Sequence, residues 1–346
     1  MSKSRIILFL AALAVLFLPH ASSAQTAANI SVVTGNGQLI CDGCPNTALP
    51  FFDPLVVKVT DASGNPVPNA QVSWSVAPPT IITTGAAAAI GTLVGGTTTT
   101  TGSATGSSAV SCNIYNSSAS EANGNSCNAY VEAEAASVQI GPISTIVTAS
   151  IPNGNSVTFY LTQSPPLVAN AIDTVYINAQ LCSPGPPAPP TTCPSSLITP
   201  GTTISGPANS VYSGGSISVV VATLAGVPIP NVNIRLIPQS ADQGGALISC
   251  QTSGTNADPG SVLTGSNGTA NCIPVFGPTP GSTPQNFQIL VGGVPALQNP
   301  SSENSFNQGL GSPVGDFSFG PFRATATAVT PGSITLVSGN SQTAQG

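Results

Sequence analysis

Beyond residue 24 the chain has no histidine and no methionine, because His20 and Met1 are the single copies of each. That absence excludes a Ser/His/Asp or Cys/His nucleophilic set there, since both need an imidazole as base. Cations are almost as scarce. Past residue 24 the basic residues are Lys58, Arg235 and Arg323, set against eleven carboxylates, a formal charge of −8. Three scattered cations cannot neutralise a row of phosphates, so nucleic acid is excluded as a partner and anionic membrane surfaces are disfavoured. With charged residues at 5% of the chain, the surface has to be built from Ser, Thr, Asn and Gln. No stretch carries an amphipathic helical period, and no segment past the N-terminal run is long and apolar enough for a membrane helix.

What is present begins with an export signal. Lys3 and Arg5 precede an apolar run from Ile6 to Leu18, and Ala21-Ser22-Ser23-Ala24 supplies the small residues of a cleavage site. This reads as a secretory signal peptide over residues 1–24, with no membrane insertion after cleavage. The expected location is secreted, extracellular or cell-surface, with the periplasm as the remaining oxidising compartment.

Two stretches repeat. Pro54-Leu55-Val56-Val57-Lys58-Val59 runs through the turn Asp61-Ala62-Ser63-Gly64-Asn65-Pro66 into Gln71-Val72-Ser73-Trp74-Ser75-Val76. Ile217-Ser218-Val219-Val220-Val221 runs through Pro228-Ile229-Pro230-Asn231 into Val232-Asn233-Ile234-Arg235-Leu236. Each is an alternating strand, a Gly/Pro turn and a returning strand. The alternation puts Val72, Trp74 and Val76 on an inward face, matched to Val232, Ile234 and Leu236 as candidate core. The predicted organisation is a first β module over 25–164, a Pro-rich connector with a disulfide loop over 165–200, and a divergent second module over 201–346.

All eight cysteines follow the signal, so an oxidising compartment makes disulfides the expectation. The repeat pairs Cys112 with Cys127 and Cys250 with Cys272, each near an Asn-Gly turn. Cys182 with Cys193 closes the Pro-rich insert, and Cys41 with Cys44 a tight loop. The Cys112–Cys127 and Cys250–Cys272 loops would each contribute about 3 kcal/mol in the chain-entropy account.

Module one opens with Ile30 to Gln38 and closes with Thr145 to Ala149 and Val157 to Leu161. The Ala-, Gly- and Thr-rich stretch between Ala77 and Ser111 reads as a long connection of weak strand character. Gly320 to Ala328 echoes Gly141 to Ala149. Ser333 to Gln342 resembles Ile30 to Gln38 and is expected to close module two. The alternative is that it adds to a sheet edge of another molecule and links copies head to tail.

Ile30 to Gln38, Thr47-Ala48-Leu49-Pro50, the Asp-x-x-Gly-x-Pro-Val-Pro core within Pro54 to Val76 and the Asn123-Gly124 hairpin together resemble the bacterial Ig-like group 1 (Big-1) repeat of the intimin and invasin class. Module two keeps Pro228 to Asn231 and Asn267-Gly268 but loses the Asp and Gly-Asn of the turn. The resemblance implies an all-β fold of tandem Greek-key β-sandwiches used as a stalk or spacer. Adhesion itself is not carried over, since the family's receptor contact usually lies in a separate domain.

The remaining candidate chemistry reads as structural. Glu132 and Glu134 share one strand face but alternate with Val131, Ala133 and Ala135 as solvated carboxylates would. Cys41-Asp42-Gly43-Cys44 has a redox or half-zinc spacing without the helix or the further ligands. Asp61 to Asn65 lacks the later acidic ligands of a calcium loop. Trp74 faces inward rather than outward as a sugar platform, and Tyr115, Tyr130 and Tyr160 are scattered. The expectation is a non-catalytic structural or adhesive module, with no cofactor, metal or catalytic residue, whose partner is a protein or glycan at a cell surface. A carbohydrate-binding module is the alternative.

Overall fold

The computed structural model describes residues 25–41, 52–102, 110–116, 141–164, 175–182, 195–197, 202–223, 225–238, 248–254, 256–281, 284–292 and 318–328. Every regular element among them is a strand. In module one these are β1 (Asn29–Thr34), β2 (Gln38–Cys41), β3 (Leu55–Thr60), β4 (Gln71–Val76), β5 (Thr80–Ile81), β6 (Thr92–Leu93), β7 (Thr98–Thr100), β8 (Val110–Asn113), β9 (Tyr115–Asn116), β10 (Ile143–Ser150) and β11 (Ser156–Ser164). Module two comprises β12 (Val175–Cys182), β13 (Ser195–Leu197), β14 (Thr203–Pro207), β15 (Ser216–Thr223), β16 (Asn233–Pro238), β17 (Ile248–Cys250), β18 (Ser261–Leu263), β19 (Thr269–Cys272), β20 (Pro274–Phe276), β21 (Gln285–Val291) and β22 (Ser318–Thr327).

The two modules share one strand order, to which module two adds β13 at an edge. One sheet runs β1-β3-β8 in module one and β13-β12-β15-β19 in module two; the facing sheet runs β2-β11-β10-β4-β7 and β14-β22-β21-β16-β18. In each copy the opening strand pairs antiparallel in the first sheet. The chain then crosses to the second sheet and pairs parallel with the last strand. This is a tandem of Ig-like Greek-key β-sandwiches.

Each sandwich closes because alternation turns one face of every strand inward. Val72 and Trp74 of β4, Val147 and Ala149 of β10, and Val157, Phe159 and Leu161 of β11 pack against Leu55, Val57 and Val59 of β3. Trp74 is 3% exposed, its ring 6.0 Å from that of Phe159, and its indole N–H donates to Thr99 Oγ1 at 2.7 Å. The second core gathers Val219 and Val221, Val232, Ile234 and Leu236, and Phe287 against Phe322.

A threonine clamp fixes how the copies align. Thr101 Oγ1 accepts from Ala70 N at 2.8 Å and donates to Val67 O at 2.7 Å. Thr264 Oγ1 accepts from Val232 N at 2.8 Å and donates to Ile229 O at 2.9 Å. Both clamps hold a turn through a left-handed asparagine, Asn69 at φ 56° and Asn231 at φ 61°. Ala70 is therefore the counterpart of Val232, Val72 of Ile234 and Trp74 of Leu236. The pairing read from the sequence is two residues out of step, an error that a period of two conceals because the inward face is unchanged.

Two other expectations need correction. Residues 165–200 are not only a connector, because β12 pairs with β15 over eight residues from Val175↔Thr223 to Cys182↔Ser216 and supplies the opening strand of module two. The weak strand character expected of the stretch between Ala77 and Ser111 takes the form of β5, β6 and β7, the last pairing Thr98 to Thr100 with β4. Gly320 to Ala328 is not the counterpart of Gly141 to Ala149: β21 holds the place of β10, and β22 that of β11. The two segments share a Gly-Pro start and an alternating body, which is all the sequence comparison could see. The position of β11 is filled in module two by β22, and Ser333 to Gln342 lies outside the described residues.

Cys250 and Cys272 are bridged, with Cα atoms 5.1 Å apart. Cys112 on β8 is disulfide-bonded. Cys127, Cys44 and Cys193 lie outside the described residues, and of Cys41 and Cys182 only the backbone is described.

Candidate functional site at the joint between the modules

In module one the turn from β1 to β2, Thr34 to Gln38, crosses from one sheet to the other and enters module two. Gly35 has φ 101° and Gly37 φ 74°, a region that glycine enters without a Cβ penalty. A Cβ on Gly37 would stand 2.6 Å from Asn233 N and 2.7 Å from Leu263 Cδ2, so the absence of a side chain lets the backbones meet. Gln38 braces the turn from inside its own module, donating to Gly35 O at 2.8 Å and accepting from Asp53 N at 2.7 Å.

Module two receives the turn with one carboxylate. Asp258 is 0% exposed; its Oδ2 accepts from Gly35 N at 3.1 Å and its Oδ1 from Asn36 N at 3.0 Å. Arg235 Nη2 donates to Asp258 Oδ2 at 2.7 Å, and Arg235 Nε to Asn233 Oδ1 at 3.2 Å. Asn233 in turn donates its backbone N–H to Gly37 O at 2.8 Å and its Nδ2 to Asn36 O at 3.1 Å. Asn36 completes the exchange, donating to Asn256 O at 2.6 Å in module two and to Thr158 O at 3.0 Å in module one. Its Oδ1 accepts from Tyr160 N at 2.7 Å. Leu39 joins the hydrophobic cluster of module two, its amide bonded to Gly292 O at 2.9 Å.

Burial governs the electrostatics. Desolvation raises the Asp258 carboxyl above its ordinary range, against the pull of Arg235 and the two amides. It lowers Arg235, against the pull of Asp258. The pair is thus costly to bury, and that cost is offset where Arg235 Nε and Nη2 and both Asp258 oxygens find hydrogen-bond partners. The arrangement can lock two domains at one angle; it contains no nucleophile paired with a base.

The residues singled out from the sequence lie elsewhere. Tyr115 is a core residue, 1% exposed, whose hydroxyl accepts from Gly91 N at 3.0 Å. Asp61 caps its own turn, accepting from Ser63 N at 2.9 Å and Asn65 N at 2.8 Å. Lys58 is half-buried on β3, and Tyr160 is half-buried on the outer face of β11. Glu132, Glu134 and Tyr130 lie outside the described residues. The sequence pattern does not mark Asn36, Asn233 and Asp258 as joint residues, and Arg235 stands in it only as a scattered cation. One signal was available: Arg235 sits on a strand in a chain with three cations past residue 24, where an isolated charge asks for a partner.

The strand order and the joint define the class: a two-module Ig-like protein whose modules meet through a buried, hydrogen-bonded turn. No protein-family model matches the chain, and no curated protein matches it. Among solved structures it is similar to the adhesin InvE of Yersinia pseudotuberculosis at 11% identity and a TM-score of 0.21, covering 80% of this chain and 59% of that one. It is also similar to FdeC, an Escherichia coli adhesin, at 11% identity and a TM-score of 0.19, covering 78% and 60%. The matched regions span about three fifths of those structures. The fold assignment rests on the strand order and register described above.

Proposed function

We propose that the chain is an exported, non-catalytic Ig-like element of Big-1 type that acts as a rigid spacer in a structural or adhesive role at a cell surface. The observation that carries this reading is the joint. Domains in one chain move relative to each other unless their interface is extensive or specific. Here a buried carboxylate receives a guanidinium of its own module and two amides of the other module's glycine turn, which supports a fixed arrangement. The signal-like residues 1–24 and the disulfides support export, and the absence of histidine past residue 24 supports a non-catalytic role.

Small-angle X-ray scattering of residues 25–346 tests the spacer reading. The expected curve fits one fixed arrangement of the modules and is unchanged between low and high salt, because buried pairs are little screened. A curve that requires an ensemble of inter-module angles would overturn it. Carbohydrate binding is the second reading, favoured by an uncharged face of module one.

A further inference from the structure

The outer face of the sheet containing β4 and β10 has different fates in the two modules. In module two the corresponding positions are buried at or beside the joint: Asn233 and Arg235 on β16, Ser261 on β18 and Leu290 on β21. Their counterparts in module one, by the clamp alignment and the strand registers, are Gln71, Ser73, Thr98 and Ser150. Of these, Gln71, Ser73 and Thr98 are exposed and Ser150 half-buried. The face that takes up a neighbouring module in one copy is open in the other.

Its chemistry differs as well. The ion-pairing Arg235 is replaced by Ser73 and the apolar Leu290 by Ser150, so the open face cannot hold another module by the contacts of the joint. What it offers is rows of hydroxyls. Thr148 lies between Ser75 on β4 and Thr158 on β11, and Ser150 lies between Ser73 and Ser156. Thr98 extends the second row beyond Ser73. Strand geometry sets these hydroxyls about 4.8 Å apart along a row, with the rows about 6.7 Å apart. Among the described residues, Ser75, Thr98, Thr148, Ser156 and Thr158 make no side-chain hydrogen bond, so each hydroxyl is free to donate and accept outward. Beside these rows Ile146 pairs with Tyr160, an apolar strip with a phenol at its edge. Ile146 is 38% exposed.

We propose that this face of module one docks a neutral polysaccharide. Sugar hydroxyls are both donors and acceptors, as Ser and Thr hydroxyls are, and an uncharged face meets them without desolvating an ion. Tyr160 and Ile146 supply the apolar contact that a sugar ring's C–H face takes. This inference does not depend on the joint being rigid.

The test is co-sedimentation of residues 25–346 with microcrystalline cellulose and with chitin, alongside the Ser73→Lys/Ser75→Lys and Tyr160→Ala variants, each checked for an unchanged unfolding transition. The expected result is retention on at least one polysaccharide, weakened about tenfold by either change. Failure of the intact protein to bind either one, or equal binding by the lysine variant, overturns the proposal. So does a drop in the mass by light scattering in the lysine variant, which would make the face a contact between copies. Scattering by the two-module arrangement stays a separate readout, so the spacer reading can fail or stand independently.

Discussion

Arg235 Nη2 stands 2.7 Å from Asp258 Oδ2 at the boundary between the two sandwiches, and the same carboxylate receives the backbone N–H groups of Gly35 and Asn36. One anion thus serves module two through its guanidinium and module one through its turn.

The first prediction separates those two duties. Burial raises Asp258 and lowers Arg235, so ionisation of the pair is not itself a source of stability. For a carboxyl raised in the folded state, the stability from its titration is fully present below its ordinary value of 3.8 and lost as pH rises through the raised one. Asp258→Leu alone strands a buried guanidinium and should cost about 3–5 kcal/mol, whereas Arg235→Met/Asp258→Leu should be about neutral for module two. Urea unfolding checks both, and equal losses in the single and double variants would contradict this view of the pair.

Gly37→Ser tests the close approach at the turn. The new Cβ meets Asn233 and the φ of 74° is unfavourable for serine, so the modules should undock while both cores remain folded. Limited proteolysis near the joint should accelerate. The C-terminal segment that resembles Ile30 to Gln38 carries Ser341 where Gly37 stands. The same argument makes it a poor occupant of this seat in another copy. If Gly37→Ser leaves the protein compact and resistant, the turn tolerates a side chain and that exclusion fails.

The sandwiches were legible in the sequence because burial on one face forces a period of two, and Val72, Trp74, Ile234 and Leu236 display it. Alternation says nothing about offset, however, so a match by pattern alone falls two residues out of step with the alignment that the Thr101 and Thr264 clamps fix. The joint was not legible for a different reason. Asp258 sits in Asn256-Ala257-Asp258-Pro259-Gly260, an ordinary turn composition, and its nearest partners in module one are the Gly35 and Asn36 amides, which leave no mark in a side-chain pattern; the Thr34 hydroxyl stands further off at 3.5 Å. The role of β12 was hidden by the Pro-rich segment that follows it.

Trp74→Ala should cost module one about 3–5 kcal/mol, since it opens a cavity against Phe159 and leaves Thr99 without its indole donor. Thermal unfolding should show the early loss of one module, with the transition of module two little changed. A variant that melts normally would mean that the sandwich closes without this ring.

Asp61 carries the cleanest pH signature. Hydrogen bonds from the Asn65 side chain, and then from the Asn65 amide, hold its carboxyl below 3.8. A carboxyl lowered in the folded state contributes stability above its unfolded value and loses it as pH falls through the folded one. The turn should therefore loosen only below the ordinary aspartate range. Asn65→Ala should move the Asp61 carboxyl upward in an NMR titration, and an unmoved titration would refute the assignment.

The central claim, that one buried carboxylate locks the modules together, is tested most directly by amide hydrogen exchange at Gly35 and Asn36. In the intact protein both amides should be strongly protected, because Asp258 accepts them inside the joint. In Asp258→Ala both should exchange rapidly while the amide of Val221, bonded to Gly268 O within the core of module two, stays protected. Protection of Gly35 and Asn36 that survives the loss of Asp258 would contradict the account.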